Sequence, residues 1–345
     1  MVTQLVLTIS RLANKESSLL KWIESFLNNR SPEVLVEGHA SSSAPVTSGV
    51  PQGSVLGPLL FLLYNNDMPG RVASTTRLFA DDSLLYRKIR TAKDTDILQE
   101  DLKKLEEWEK DWQMQFNPSK CETIHITRKR NPIRRTYELH GHKLADVKSG
   151  KYLGVTLHEK LNWNQHIEDV SKKANSSLAF LRRNVTSCPP DVKAQCYKSL
   201  VRPILEYASP VWDPYTGTSI SQLEAVQRRA ARFVMGDYRT TSSTSQMIAT
   251  LGWPTLQQRR TDARLVLMYR IVHHLIDIPA DLYLHPATVS LQRGRNVCFL
   301  IPYCRTDLYR HSFFPATIHA WNQLPASIAT AQTLDSFKAG LAKQH

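Results

Sequence analysis

Cysteine is scarce and unpatterned in this chain. The five residues, Cys121, Cys188, Cys196, Cys298 and Cys304, are odd in number and show no C-x-x-C spacing. That excludes a disulfide framework of the secreted kind and fits a reducing compartment. Cys298, Cys304 and His311 have zinc-type chemistry, but their spacing is loose and no fourth ligand is evident, so a structural or incidental role is expected. Long apolar runs are also missing: none approaches the ~20 residues of a membrane-spanning helix. The opening, Met1 to Ala13, has neither a basic n-region nor a cleavage site. An intracellular chain, nuclear or cytoplasmic and without membrane contact, is expected. No internal repeat or low-complexity tract is visible. Acidic residues number 31 against 44 basic ones, for a formal net charge of +13. Such an excess points to a polyanionic partner, nucleic acid first and an anionic membrane surface second. The sharpest gap concerns aspartate, since none occurs before Asp67 and the first acidic residue is Glu16.

What is present begins with Leu78-Phe79-Ala80-Asp81-Asp82-Ser83-Leu84-Leu85-Tyr86. Two short apolar runs, each strand-like, flank adjacent aspartates, which predicts a β-hairpin with Asp81 and Asp82 at its tip. Neighbouring carboxylates repel, so folding does not ask for them there. A divalent cation would remove the repulsion, and hard oxygen ligands suit Mg²⁺. A carboxylate pair on a rigid hairpin is a platform for phosphoryl chemistry. A plain polar turn accounts for the pair equally well on this stretch alone.

Upstream, Thr47-Ser48-Gly49-Val50-Pro51-Gln52-Gly53-Ser54-Val55-Leu56-Gly57-Pro58 forms a Gly/Pro-punctuated loop, and Leu59-Leu60-Phe61-Leu62-Leu63-Tyr64 reads as a buried helix after it. Gly49 and Gly53 permit close approach to the backbone, and Gln52 offers a paired donor and acceptor suited to a base edge or sugar. The run from Ser48 to Phe61, followed by Phe79 to Asp82, resembles motifs B and C of the reverse transcriptase palm. Its wording is that of non-LTR retrotransposons of the jockey and chicken-repeat type. The resemblance runs from about Leu19 to the C-terminus and is far more specific than a lone A-D-D.

Further segments extend it. Phe116 to Glu122 looks like motif D, which would place Lys120 near the incoming triphosphate, there to neutralise charge or protonate the leaving pyrophosphate. A solvated surface lysine is the rival. Lys151 to Leu157 resembles motif E, the primer grip, with Gly154 leaving room for a primer backbone; an ordinary strand with a bulge at Gly154 reads as well. The family's motif A aspartate has no counterpart: Val2 to Asn14 does not match, and Asn14 to Ser18 around Glu16 is not a strand.

Other elements follow from periodicity. A short helix from Leu19 is expected to face inward with Leu19, Trp22, Ile23 and Phe26, and a strand is expected over Val34 to Gly38. A long helix over about Thr95 to Met114 carries Leu98, Leu102, Leu105, Trp108 and Trp112, with Asp94 as N-cap and Asn117-Pro118 as its stop. Thr123 to Thr127 reads as a strand and Tyr137 to Leu144 as a hairpin around Gly141. From residue 158 the pattern turns helical. One helix is expected from about Asn164 to Asn184, and a second, with Val192, Cys196 and Leu200, halts near Pro203. A third carries Ile220, Leu223, Val226, Ala230 and Phe233. A fourth runs from about Leu256 to Leu275. Lys172, Lys173, Arg182, Arg183, Arg228, Arg229, Arg232, Arg259, Arg260, Arg264 and Arg270 line these helices, either to track a phosphate backbone or as solvated faces.

The fold expected is α+β: a partial reverse transcriptase palm over 1–157, then an α-helical, thumb-like region over 158–345. The resemblance implies an RNA-directed DNA polymerase acting on an RNA template, a DNA primer and dNTPs with Mg²⁺. Asp81 and Asp82 would be metal ligands, Lys120 would meet the triphosphate, Gln52 and Gly53 the template or nucleotide, and Tyr152, Leu153 and Gly154 the primer. With motif A and fingers missing, the chain reads as the C-terminal part of a longer element, inactive alone. The alternative is a non-enzymatic, nucleic-acid-binding remnant of a retroelement.

Overall fold

The computed structural model describes residues 18–46, 49–287 and 298–344. Glu16, Thr47 and Ser48 lie outside the described residues. The chain divides into two compact units, Met1–Leu153 and Gly154–His345. Its mixture of helices and small two-stranded sheets is of the α+β kind.

In the first unit, α1 (Ser18–Leu27) buries Leu20, Ile23 and Leu27. Leu19 and Trp22, expected inside, are exposed, and Trp22 stacks on Phe26. The spacing 20/23/27 is as helical as 19/22/26, and partners elsewhere in the chain choose between them. An exposed ribbon follows, β1 (Leu35–Val36) with β2 (His39–Ala40). Next come α2 (Leu56–Asn65) and the single turn α3 (Met68–Arg71). Leu60 and Tyr64 of α2 are buried while Leu59 and Leu62 are exposed, so this helix is covered on one side only.

Strands β3 (Thr75–Phe79) and β4 (Asp82–Tyr86) form the expected hairpin. Helix α4 (Ala92–Trp112) packs beneath, sharing a core cluster of Leu20, Ile23, Leu27, Leu60, Tyr64, Leu105, Trp108 and Trp112 with α1 and α2. Its N-cap is Thr91, not Asp94; Asp94 sits at N3 and completes a capping box. The helix stops at left-handed Gln113, before Asn117-Pro118 is reached. Only β5 (Glu122–Thr123) of the strand expected up to Thr127 forms, paired in parallel with β8 (Ala145–Asp146). Between them β6 (Glu138–Leu139) and β7 (His142–Lys143) make the hairpin around Gly141. Strand β9 (Ser149–Tyr152) ends this unit.

The second unit opens with β10 (Val155–His158) and α5 (Asn164–Asn184). Helix α6 (Pro190–Cys196) does not halt near Pro203. It passes through a π turn, Tyr197–Val201, into α7 (Arg202–Glu206). Pro203 lies in the first turn of α7, and the wider π winding ahead of it absorbs the missing donor. The buried stripe is Ala194, Tyr197, Val201 and Leu205, while Val192 and Leu200 face out.

After α8 (Ser209–Trp212) and α9 (Gly217–Met235) come α10 (Thr244–Thr250) and α11 (Leu256–Val272). Helix α11 serves two cores. Leu256 joins α5, α7 and α9 around Trp212, and Leu265, Met268, Tyr269 and Ile271 join a second cluster. That cluster takes Ile318 and Trp321 from α13 (Phe313–Asn322), which follows α12 (Asp307–Arg310). It takes Ile328 from α14 (Ala326–Ala329), and Phe337 and Leu341 from α15 (Leu334–Ala342). Trp321 and Phe337 are thus core.

Several arginines expected on basic faces are structural. Arg260 is wholly buried, its Nε donating to Asp213 Oδ1 at 2.8 Å, with Arg264 on the other carboxylate oxygen at 3.0 Å. Arg259 pairs with Glu206, and Arg232 donates to the carbonyls of Asp237, Arg239 and Ser242 past the end of α9. Two cations around one carboxylate in a dry interior exist because each partner cancels part of the other's desolvation cost.

Candidate active site

The hairpin turn is tighter than the sequence suggested. Phe79 pairs with Asp82, so Ala80 and Asp81 alone make the turn and Asp82 is the first residue of β4. Ala80 takes the left-handed conformation, φ 51°. Strand alternation sends Leu78 and Leu85 toward the core and leaves Phe79, Asp81 and Asp82 exposed. Both carboxylates therefore stand at the surface, on a turn carried by paired strands.

Two side chains that the motif reading did not single out hold this turn. Asn65, buried in the last turn of α2, donates from Nδ2 to the Ala80 carbonyl at 3.2 Å. At the base of the hairpin, fully buried Asp101 of α4 accepts from the backbone N–H groups of Ala73 and Ser74, each at 2.8 Å. Separately, Asp67 ahead of α3 accepts from the indole N–H groups of Trp108 and Trp112 on α4 at 2.9 and 3.2 Å. A readable signal existed for Asp101: it interrupts the apolar stripe of α4, between Leu98 and Leu105, where a charge is stable only when bonded.

The Gly/Pro loop is fastened at both ends. Arg30 donates to the Gly49 carbonyl at 2.5 Å. Ser54 Oγ donates to the Pro51 carbonyl at 2.7 Å and accepts from the Gly57 N–H at 3.0 Å, closing the start of α2. A Cβ at Gly57 would lie 2.8 Å from the Pro51 carbonyl oxygen, so only glycine fits. Gln52 and Gly53 are exposed at the loop's crest, Gly53 at φ 81°.

Lys120 is exposed at the end of a single 3₁₀ turn, Pro118–Lys120, whose Cys121 leans on a smaller cluster around Tyr137, Leu139 and Leu144. The hairpin belongs to the larger cluster; Leu102 and Phe116 touch both. Tyr152, Leu153 and Gly154 do not form one strand. Leu153 and Gly154 are both left-handed, φ 46° and 80°, and the division between the units falls between them.

The donor chemistry of Asp81 and Asp82 fits a hard divalent cation. Among the described residues, no group of three or more His, Cys, Asp or Glu side chains is placed to hold a metal ion, so the pair is two carboxylates without a third. Cys298, Cys304 and His311 do not assemble into such a group either. His311 stacks instead on Tyr215, centroids 4.1 Å apart.

Residues 8–157 match the reverse transcriptase (RNA-dependent DNA polymerase) family. The match begins upstream of α1, earlier than the motifs alone suggested. The chain is 30% identical over 228 residues to the RNA-directed DNA polymerase from mobile element jockey of Drosophila melanogaster, an alignment covering 62% of this chain and 25% of that protein. It is 31% identical over 234 residues to the jockey polymerase of Drosophila funebris, covering 63% and 25%. To the probable RNA-directed DNA polymerase from transposon X-element of Drosophila melanogaster it is 29% identical over 225 residues, covering 62% and 24%. Residues 8–157 thus match the reverse transcriptase family, and the chain is similar to polymerases of jockey-type mobile elements. The aligned part spans about a quarter of the length of these relatives. Among the described residues, no helix is long and apolar enough to cross a membrane.

Proposed function

We propose that the chain acts in RNA-directed DNA synthesis, with residues 1–157 as the later part of a polymerase palm and 158–345 as a thumb-like helical region. The observation that carries this reading is the hairpin turn, held by Asn65 and Asp101, that sets Asp81 and Asp82 at the surface. Asp81 and Asp82 would hold Mg²⁺, Asp81 foremost. When bound, the ion supplies charge for the triphosphate and acidity for a primer hydroxyl. Gln52 and Gly53 would meet the template or nucleotide, with Gly53's bare backbone allowing close approach. Lys120 would sit by the triphosphate as cation and proton donor. Tyr152 to Gly154 would contact the primer.

One observation favours a second reading, a nucleic-acid-binding chain without catalysis: the acid pair has no third partner among the described residues, and the sequence holds no aspartate before Asp67. In-line phosphoryl transfer depends on metal placement, and two adjacent carboxylates on one turn approach from one side only. The 345-residue chain by itself is therefore expected not to extend a primer. Primer extension on an RNA template with Mg²⁺ or Mn²⁺ decides between the readings. Addition of an upstream segment with an aspartate-bearing strand should give activity that Asp81→Ala abolishes. Extension by the unsupplemented chain, stopped by Asp81→Ala, would show that its site is complete. No extension even with the segment would leave the binding reading.

A further inference from the structure

Among the described residues of the second unit, cations, a ring and an opening coincide at a groove. A groove of about 410 Å³ lies between α5 and α9, lined by Asn175, Leu178, Ala179, Arg182 and Arg229. Its floor is apolar, since Leu178 is buried in the core below. Its rim is cationic, and its lining holds no acidic residue. Arg229 is oriented by Asn175, whose Oδ1 accepts from Nε at 3.0 Å, and both residues line the groove. The Arg182 guanidinium lies over the ring of Tyr238, 5.3 Å from its centroid, and Tyr238 is 52% exposed.

A basic residue in the last turn of a helix is ordinary, because it meets the negative end of the helix dipole. That explains a charge at position 182. It does not explain Arg229 on the neighbouring helix, the absence of acids from the lining, or a half-exposed tyrosine beside the opening. Nucleic-acid single strands need this combination: guanidinium groups for the phosphates and a ring on which a base can stack. A duplex hides its bases and would use only the charges.

Building on the proposed role in handling nucleic acid, the geometry points to the α5–α9 groove as a single-strand binding site, Arg182 and Arg229 taking phosphates and Tyr238 stacking on a base. The site lies entirely within the second unit and uses none of the hairpin or loop residues.

The test uses the full 345-residue chain, a 5′-labelled dT12 and a matched 12-base-pair duplex, with fluorescence anisotropy over a salt series. Arg182→Gln/Arg229→Gln should weaken dT12 binding about tenfold at low salt. It should also flatten the slope of log K against log salt by about 0.7 for each phosphate that is no longer neutralised. Tyr238→Leu should weaken dT12 binding several-fold while keeping the slope and leave duplex binding unchanged, since stacking releases no counterions. Arg310→Gln, an exposed change on α12, should match the wild type. Circular dichroism checks that each variant is folded. If the wild type binds dT12 and the groove variants match it in affinity and slope, the groove inference falls and the nucleic-acid reading stands. If the wild type does not bind dT12 at low salt, both fall. Asp81→Asn separates the polymerase reading, because it should leave dT12 binding intact whatever it does to primer extension.

Discussion

The amide of Asn65 holds the carbonyl of Ala80, 3.2 Å away, and so fastens the end of α2 to the turn that carries Asp81. The helix that follows the glycine loop and the hairpin that carries the acid pair are joined by one side chain. With Asp101 gripping the other end of the hairpin, the turn is fixed at tip and base.

Asp101 should therefore matter more to stability than any residue at the turn itself. Asp101→Ala leaves two backbone N–H groups without their acceptor, a loss of about 3 kcal/mol for two charge-assisted bonds. Asn65→Ala should cost about 1 kcal/mol. Asp81→Asn, exposed and on the turn, should stay within about 0.5 kcal/mol of wild type. Urea denaturation followed by tryptophan fluorescence gives all three, and the expected order is Asp101, then Asn65, then Asp81.

Gly57 should not tolerate a methyl group. A Cβ there would meet the Pro51 carbonyl oxygen at 2.8 Å, a backbone atom held in place by Ser54. Gly57→Ala would raise helix propensity on an open helix; here it should destabilise by about 2 kcal/mol through overpacking. The same denaturation measurement checks the sign.

Acid should weaken the start of α4. Asp94 accepts from the backbone N–H groups of Thr91 and Arg90, and these bonds lower its pKa from the usual 3.8 to about 2. A carboxyl whose folded pKa is depressed contributes stability above its unfolded pKa and loses that contribution as pH falls through the folded value. Wild type should thus exceed Asp94→Asn in stability near neutrality, and the gap should close progressively between about pH 4 and pH 2. Paired thermal melts across that range read it directly; a gap independent of pH would contradict the capping role.

Asp213 should be the most sensitive acid of the second unit. Its removal strands buried Arg260 and leaves Arg264 facing a like charge. Arg264 already has its pKa lowered, first by burial and then by Arg260, with Asp213 the opposing influence. Asp213→Ala should cost about 3–5 kcal/mol, the usual penalty for breaking a buried pair from one side. Loss of the far-ultraviolet helical signal at a lower temperature than wild type is the expected result.

The parts of this protein that its sequence determined unaided are those with local causes. The hairpin was legible because two short apolar runs bracket the acids, and α5 was legible end to end because one apolar stripe persists from Ile167 to Leu181. The jockey-type motifs needed no geometry at all. The tertiary structure alone decided which of two equivalent stripes α1 buries, that the helix ahead of Pro203 continues through a π turn, and that Ile124 to Thr127 form no strand. It also sorted the arginines, sending Arg260 into the core and leaving Arg182 and Arg229 at a groove. Periodicity reports only that a residue repeats on a face. What that face meets depends on residues such as Asp213 and Asn65, distant in sequence, whose bonds form only once the chain has closed.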